Sequence, residues 1–161
     1  MPFTLYLLRH ADALDKSSNQ TDLERQLSAR GINEAEGVGT FLKAKKIYLN
    51  RLLCSHAIRA QHTAQIIANK IELPTHRLEL NQRIYHSNSD EIIRVIRGLS
   101  DTDNEVALVG HNPTISTLAN SLSLQTIEYF TTATIACFTF EFKTWKDIKP
   151  KAGDLTFIKS P

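Results

Sequence analysis

Phe3-Thr4-Leu5-Tyr6-Leu7-Leu8-Arg9-His10 is the stretch whose reading decides the fold. An apolar, β-forming run stops abruptly at an arginine and a histidine, and Ala11-Asp12-Ala13 follows. Such a run reads as a buried strand. Its end sets two reactive groups at the carboxyl edge of a sheet, where open α/β sheets bind ligands. Arg9 supplies a fixed cation that can fork onto phosphate or carboxylate. His10 offers a nucleophile or proton carrier near neutral pH. On these two residues alone, a basic strand end facing water is an equal reading.

Working outward, a second buried strand has the same ending. Glu105-Val106-Ala107-Leu108-Val109 stops at Gly110-His111-Asn112-Pro113. Pro113 suits the first position of a helix, and Ile115, Leu118, Ala119 and Leu122 give that helix an apolar face. A third, short strand, Leu49 to Cys54, runs into Ser55, read as the cap of a helix over about 56–70 with Arg59 in its first turn. Ser28 caps a helix over about 28–46, where Gly31, Gly37 and Gly39 suggest close packing on a neighbour. The polar loop before that helix carries Arg25.

Further on, His76 to Leu80 alternates like a strand, and Asn81 to Ser89 reads as a polar loop. Ser89 is placed to cap a helix whose face is Ile92, Ile93, Ile96 and Leu99. Thr131 to Phe142 is β-branched and aromatic and predicts a strand. Lys143 to Lys151 reads as a solvated turn before a last strand at Gly153 to Lys159. Strands alternating with helices predict an α/β protein with a mostly parallel central sheet flanked by helices.

Composition bounds the function. A chain of 161 residues fits one domain, 1–161, and 42% hydrophobic with 22% charged residues can build a proper core. A net charge of +2 argues against nucleic acid or a membrane surface as the main partner. Cys54 and Cys137 sit in apolar runs and read as buried free thiols without metal spacing. Met1-Pro2-Phe3 lacks a basic segment, and no apolar stretch approaches the ~20 residues of a membrane span. The expectation is a cytoplasmic monomer.

If the three strands are parallel neighbours, His10, His111, Arg9, Arg25 and Arg59 converge on one edge. That many cationic groups call for an anion, and phosphate is the natural one. In such a pocket His10 attacks through an unprotonated nitrogen, and its arginine neighbours disfavour the imidazolium. The arginines and His111 stabilise the transferring phosphoryl group, and water then releases it from His10. This chemistry calls for no metal and no cofactor. His56, His62, His76 and His86 read as surface or partly packed side chains, without the spacing of a zinc helix.

These segments resemble a known family. Arg9-His10-Ala11-Asp12-Ala13, Glu24-Arg25-Gln26-Leu27-Ser28-Ala29-Arg30-Gly31 and Ser55-His56-Ala57-Ile58-Arg59-Ala60-Gln61-His62-Thr63-Ala64 are similar to the ordered motifs of the histidine phosphatase superfamily. Gly110-His111-Asn112-Pro113 and Phe130-Thr131-Thr132-Ala133 are similar to its small SixA-type phosphohistidine phosphatase branch. The resemblance spans residues 5 to about 142. It implies the phosphoglycerate mutase-like fold, a three-layer α/β/α sandwich. It also implies phosphoryl transfer through His10, with Arg9, Arg25, Arg59 and His111 holding the phosphate.

The chain departs from the family at the proton donor. Many members carry a carboxylate after the third strand, where this chain reads Asn81-Gln82-Arg83-Ile84-Tyr85-His86. A poor leaving group needs such an acid, whereas a protonated phosphohistidine does not. The expected substrate is therefore phosphohistidine on a partner protein, a phosphotransfer or phosphocarrier domain. Asp12 is the candidate substitute donor, with His86 beside it. The segments between motifs are too short for a lid, which suits a protein substrate. Two alternatives stand beside this reading. One is the same mechanism on a small phosphomonoester, and the other is a non-catalytic phosphate or phosphopeptide binder.

Overall fold

A computed structural model describes residues 2–161. Ten elements carry the architecture: β1 (Phe3–Arg9), α1 (Ala29–Ala44), β2 (Arg51–Cys54), α2 (Ile58–Lys70), β3 (Leu78–Leu80), α3 (Ser89–Arg97), β4 (Glu105–Gly110), α4 (Thr114–Leu122), β5 (Ile135–Phe140) and β6 (Asp154–Lys159). Among the described residues they build one six-stranded sheet in the order β3-β2-β4-β1-β5-β6. β3, β2, β4 and β1 run parallel; on the far side of β1, β5 pairs antiparallel with β1 and β6 antiparallel with β5.

Period-two alternation sends neighbouring residues of β1 into different cores. Leu5 and Leu7 join Leu108, Ile115, Leu118 and Ile96 under α3 and α4. Tyr6 and Leu8 join Leu42, Ala64, Ile67 and Val109 under α1 and α2. Both sheet faces are thus covered, as a parallel sheet requires, and the three-layer α/β/α sandwich follows. Cys54 and Cys137 are free and buried, and burial pushes their thiols up to about 12 and about 11.

The elements differ from the sequence expectations in places that matter. Ser28 caps α1 as expected, accepting from the Gly31 N–H at 3.0 Å. Gly31 is required there: a Cβ would meet the Asp12 carbonyl oxygen at 2.0 Å. Gly39 packs on Lys70, but Gly37 faces open space, so close packing does not explain it. Ser55 does not cap α2. That helix starts at Ile58 behind Ala57, which leaves the Ser55 hydroxyl for the site. Asn88, one residue before Ser89, caps α3 by accepting from the Glu91 N–H.

The strand expected at Thr131 to Phe142 shrinks to β5. Residues 131–134 form a turn because the Ala133 N–H bonds back to the Arg9 and His10 carbonyls and Ala133 takes φ 56°. The segment Lys143 to Lys151 is not wholly solvated. Its lysines are exposed, but Trp145 and Ile148 are fully buried, and the Trp145 indole N–H donates to the Asp103 carbonyl at 2.8 Å. Asn81 to Ser89 contains a short 3-10 turn, Gln82–Ile84, that buries Ile84 and presents Tyr85 to the site.

Candidate active site

The sheet order β2-β4-β1 aligns three strand ends on one edge. Arg9 pairs with Gly110, and Cys54 pairs with Val109. The ladder continues past the strands: the His10 N–H donates to the Gly110 carbonyl and the Ser55 N–H to the Val109 carbonyl, both at 3.1 Å. Ser55, His111 and His10 consequently stand side by side. Their juxtaposition is a product of parallel pairing in register, since the three are distant in the chain.

His10 is held in one tautomer. Its Nδ1 lies 2.8 Å from the Ala11 carbonyl, an acceptor only, so Nδ1 carries the proton and Nε2 bears the free lone pair. Arg59, in the first turn of α2 and 5% exposed, points Nε at that Nε2 from 3.3 Å. Burial, the largest cause, lowers His10 to about 4; the bond to Ala11 opposes it, and the charges of Arg59, Arg9 and Arg25 add to it. Thr63 on α2 locks the arrangement by accepting from the Ala11 N–H and donating to the Arg59 carbonyl.

His111 faces His10 with ring centroids 5.1 Å apart. Its Nδ1 is 3.4 Å from Arg59 Nη2, and its Nε2 is 2.8 Å from Ser55 Oγ. A guanidinium only donates, so the neutral ring carries its proton on Nε2 and gives it to Ser55. Burial first, then the neighbouring His10 and Arg59, lower His111 to about 3. The pocket therefore holds two neutral imidazoles among arginines. This lowers the number of cations the sequence alone brought together.

Arg9 donates through Nη1 to the Phe130 carbonyl at 2.9 Å, while its Nε is buried without a partner. Asn112 donates to the same carbonyl at 2.7 Å and, through Oδ1, accepts from Ser116. Arg25 does not touch either histidine. Its Nε donates to the Leu14 carbonyl at 2.9 Å, and Nη1 lies 3.5 Å from Asp22 Oδ1. Asp22 is the link, because it also receives Arg59 twice: Nη1 on its carbonyl at 2.7 Å and Nη2 on Oδ2 at 2.9 Å. Tyr85 donates to the same Oδ2 at 2.6 Å.

The structure does not aim Asp12 at His10. Its carboxylate accepts from Ser28 Oγ at 2.5 Å and from Arg30 Nη2 at 2.8 Å, so both oxygens serve the start of α1. His86 lies against Tyr85, centroids 4.0 Å apart with the rings tilted by 48°, at the wall of an open cleft of about 470 Å³. Asp22, Arg59, Tyr85, His111 and Asn112 line that cleft too. Sequence reading passed over Asp22, Tyr85 and Ser55 as site residues. The one available signal was Asp22 itself, a carboxylate three residues before Arg25 in a loop already assigned to the pocket.

Among the described residues no cluster of three or more His, Cys, Asp or Glu is arranged to hold a metal ion, and no helix is long and apolar enough to cross a membrane.

The family described as "Histidine phosphatase superfamily (branch 1)" matches residues 5–82. An uncharacterised protein of Mycobacterium leprae is 34% identical over 102 residues, 63% of this chain and 60% of that protein. The chain thus spans about 60% of the length of the first curated relatives it matches. Phosphohistidine phosphatase SixA of Escherichia coli K12 is 26% identical over 140 residues, 85% of each chain. A SixA-named structure from Agrobacterium tumefaciens superposes with a TM-score of 0.85 at 22% identity, over 100% of this chain and 99% of that one. The protein histidine phosphatase SixA complexed with tungstate gives 0.82, also at 22% identity, over 98% and 96%. Those two structures speak for the fold. The matched segment contains Arg9, His10, Arg25 and Arg59, and in it the chain is similar to the histidine phosphatase superfamily.

Proposed function

We propose that the chain is a phosphohistidine phosphatase that removes the phosphoryl group from a histidine-phosphorylated partner protein through a covalent phospho-His10 intermediate. The observation that carries this reading is His10 itself. Its Nδ1–H is fixed on the Ala11 carbonyl, and its unprotonated Nε2 lies beside the Arg59 guanidinium. A nucleophile of this kind needs a free lone pair and a cation for the phosphoryl oxygens.

In this reading His10 Nε2 attacks the phosphorus in line. Arg59 and Arg9 carry the equatorial oxygens, and the buried Arg9 Nε is a donor that a phosphoryl oxygen would satisfy. Arg25 adds its charge from behind Asp22. His111 stands across from His10 and holds the opposite side of the transferring group. Water then attacks phospho-His10, forming the new P–O bond and returning the electron pair of the P–N bond to Nε2. The cationic residues supply the charge stabilisation, so the reaction proceeds without metal. The name of the Escherichia coli relative and the tungstate bound to a SixA of the same fold support an oxyanion in such a pocket.

The test is a rapid-quench experiment with a phosphotransfer domain labelled on histidine. Transient acid-labile label on the wild-type chain, absent in His10→Ala, is expected, with turnover unaffected by EDTA. Tight phosphate binding without turnover would convert the reading into that of a binder.

A further inference from the structure

One carboxylate lines the cleft beside His111, and it belongs to Asp22. Arg59 is the cleft's one guanidinium, and its two edges have separate tasks. The edge built from Nε and Nη2 faces His10 and His111. The outer edge, Nη1 with Nη2, is closed by the Asp22 carbonyl and Oδ2. The remaining wall includes Tyr85, Ser87, Asn112 and Thr114, none of which carries a cation, together with the His86 ring. Beyond the phosphoryl subsite, then, the cleft has no unpaired arginine or lysine among its described lining.

In-line transfer to His10 Nε2 sends the leaving group away from His10 into this cleft. An anionic leaving group, or one bearing further carboxylates, would find Asp22 there and no unpaired arginine or lysine. A cationic ring would find a carboxylate able to accept its N–H. We propose that Asp22 is a specificity-determining residue, whose carboxylate receives the N–H of a cationic imidazole leaving group and rejects anionic ones. This rests on the phosphohistidine reading and says how the site distinguishes that substrate from phosphate esters.

The step balances without a proton donor. Protonated phosphohistidine carries the phosphoryl group on one ring nitrogen and hydrogen on the other. As the bond from phosphorus to His10 Nε2 forms, the substrate's P–N bond breaks and its electron pair stays on the leaving nitrogen. The product is neutral imidazole that still carries its N–H, the hydrogen facing Asp22. The hydrogen bond from Tyr85, with those from Arg59 and Arg25 against the opposing effect of burial, holds the Asp22 carboxyl well below the usual carboxylate range. It therefore acts as an acceptor rather than as an acid.

The deciding measurement compares Asp22→Asn with wild type on three substrates: a phosphohistidine peptide, p-nitrophenyl phosphate and 3-phosphoglycerate. The asparagine keeps an oxygen for Arg59 and loses the charge. The expected result is a fall of about tenfold in the ratio of kcat/KM for phosphohistidine to that for each ester, the worth of one charge-assisted hydrogen bond. Tyr85→Phe retains the charge and should keep the wild-type substrate ratio, which covers a failure of Asp22→Asn to fold. An equal fall on all three substrates in Asp22→Asn would make Asp22 a positioning residue for Arg59 alone and overturn the proposal. So would a Tyr85→Phe ratio shifted towards the esters while the charge remains. Wild-type protein inactive on phosphohistidine but active on esters would instead defeat the phosphohistidine reading itself.

Discussion

Ser55 Oγ lies 2.8 Å from His111 Nε2, and the two residues come from the ends of adjacent parallel strands, β2 and β4. The serine is fully buried and also accepts the Ala57 N–H at 3.2 Å. It therefore holds the orientation of the His111 ring, and accepts the Nε2 proton that the Arg59 donor at Nδ1 dictates. Ser55→Ala should free the ring and lower kcat/KM by about tenfold, while leaving two buried donors unpaired at a cost of about 1–3 kcal/mol. Steady-state kinetics alongside urea unfolding would check both; unchanged kinetics would remove Ser55 from the site.

Arg59 reaches both histidines and Asp22 at once. Lysine has a point charge without the fork, so Arg59→Lys cannot reproduce that set. The expected loss in kcat is about 100-fold or more, in the range seen when one preorganised donor of a transition state is removed. Single-turnover kinetics would separate this from a binding effect. A variant within threefold of wild type, about the smallest change that reports on the barrier, would show the fork to be dispensable.

The two imidazoles make stability depend on pH. His10 falls from an ordinary 6.5 to about 4 and His111 from 6.5 to about 3. In that interval the unfolded chain binds protons that the folded chain refuses, so stability rises with pH and is lost as pH falls below 6.5. Urea midpoints should decline steadily on acidification towards pH 4 and flatten above 6.5. The slope should shrink in His10→Ala. A midpoint constant across the interval would contradict two neutral rings.

Oxyanion binding should take up a proton. His111 turns a lone pair at Nδ1 towards Arg59 in the free protein. While Nε2–H still donates to Ser55, donation from Nδ1 to a phosphoryl oxygen makes the ring imidazolium, and a dianion beside it favours that form over a switch of tautomer. Titration calorimetry of tungstate in two buffers of different ionisation heat should report an uptake of about one proton near neutral pH. In His111→Gln the uptake should vanish.

Gly31 permits the contact that anchors the loop after His10 to α1. A Cβ there would sit 2.0 Å from the Asp12 carbonyl oxygen, which also accepts the Ser28 N–H at 3.0 Å. Gly31→Ala should cost about 1–3 kcal/mol through overpacking and lower activity by shifting the segment behind His10. Thermal unfolding and kinetics of the same variant would show the two losses together.

Much of this was legible in the chain before any packing was known. The runs at Phe3–Arg9 and Glu105–Gly110 are continuous apolar stretches, and their abrupt polar ends mark a sheet edge. The register adds what composition could not. It sets Arg9 opposite Gly110 and Cys54 opposite Val109, and so makes neighbours of His10, His111 and Ser55. Trp145 was hidden among lysines, and its burial depends on Asp103 and the aromatic cluster with Phe3, Phe140 and Phe142.

Asp12 and Asp22 draw the boundary most sharply. Both are carboxylates in the loop after β1, and Asp12 stands nearer His10 in sequence. Asp12 is nonetheless spent on Ser28 and Arg30, whereas Asp22 holds Arg59, Arg25 and Tyr85. By itself the sequence determined the α/β layering, the two strand-end histidines and the arginines that accompany them, because hydrophobic period and residue chemistry are local properties. Which nitrogen is free, which rings are neutral and which carboxylate faces the cleft were decided by the tertiary structure alone. Those depend on burial and on hydrogen bonds between residues that only folding brings together.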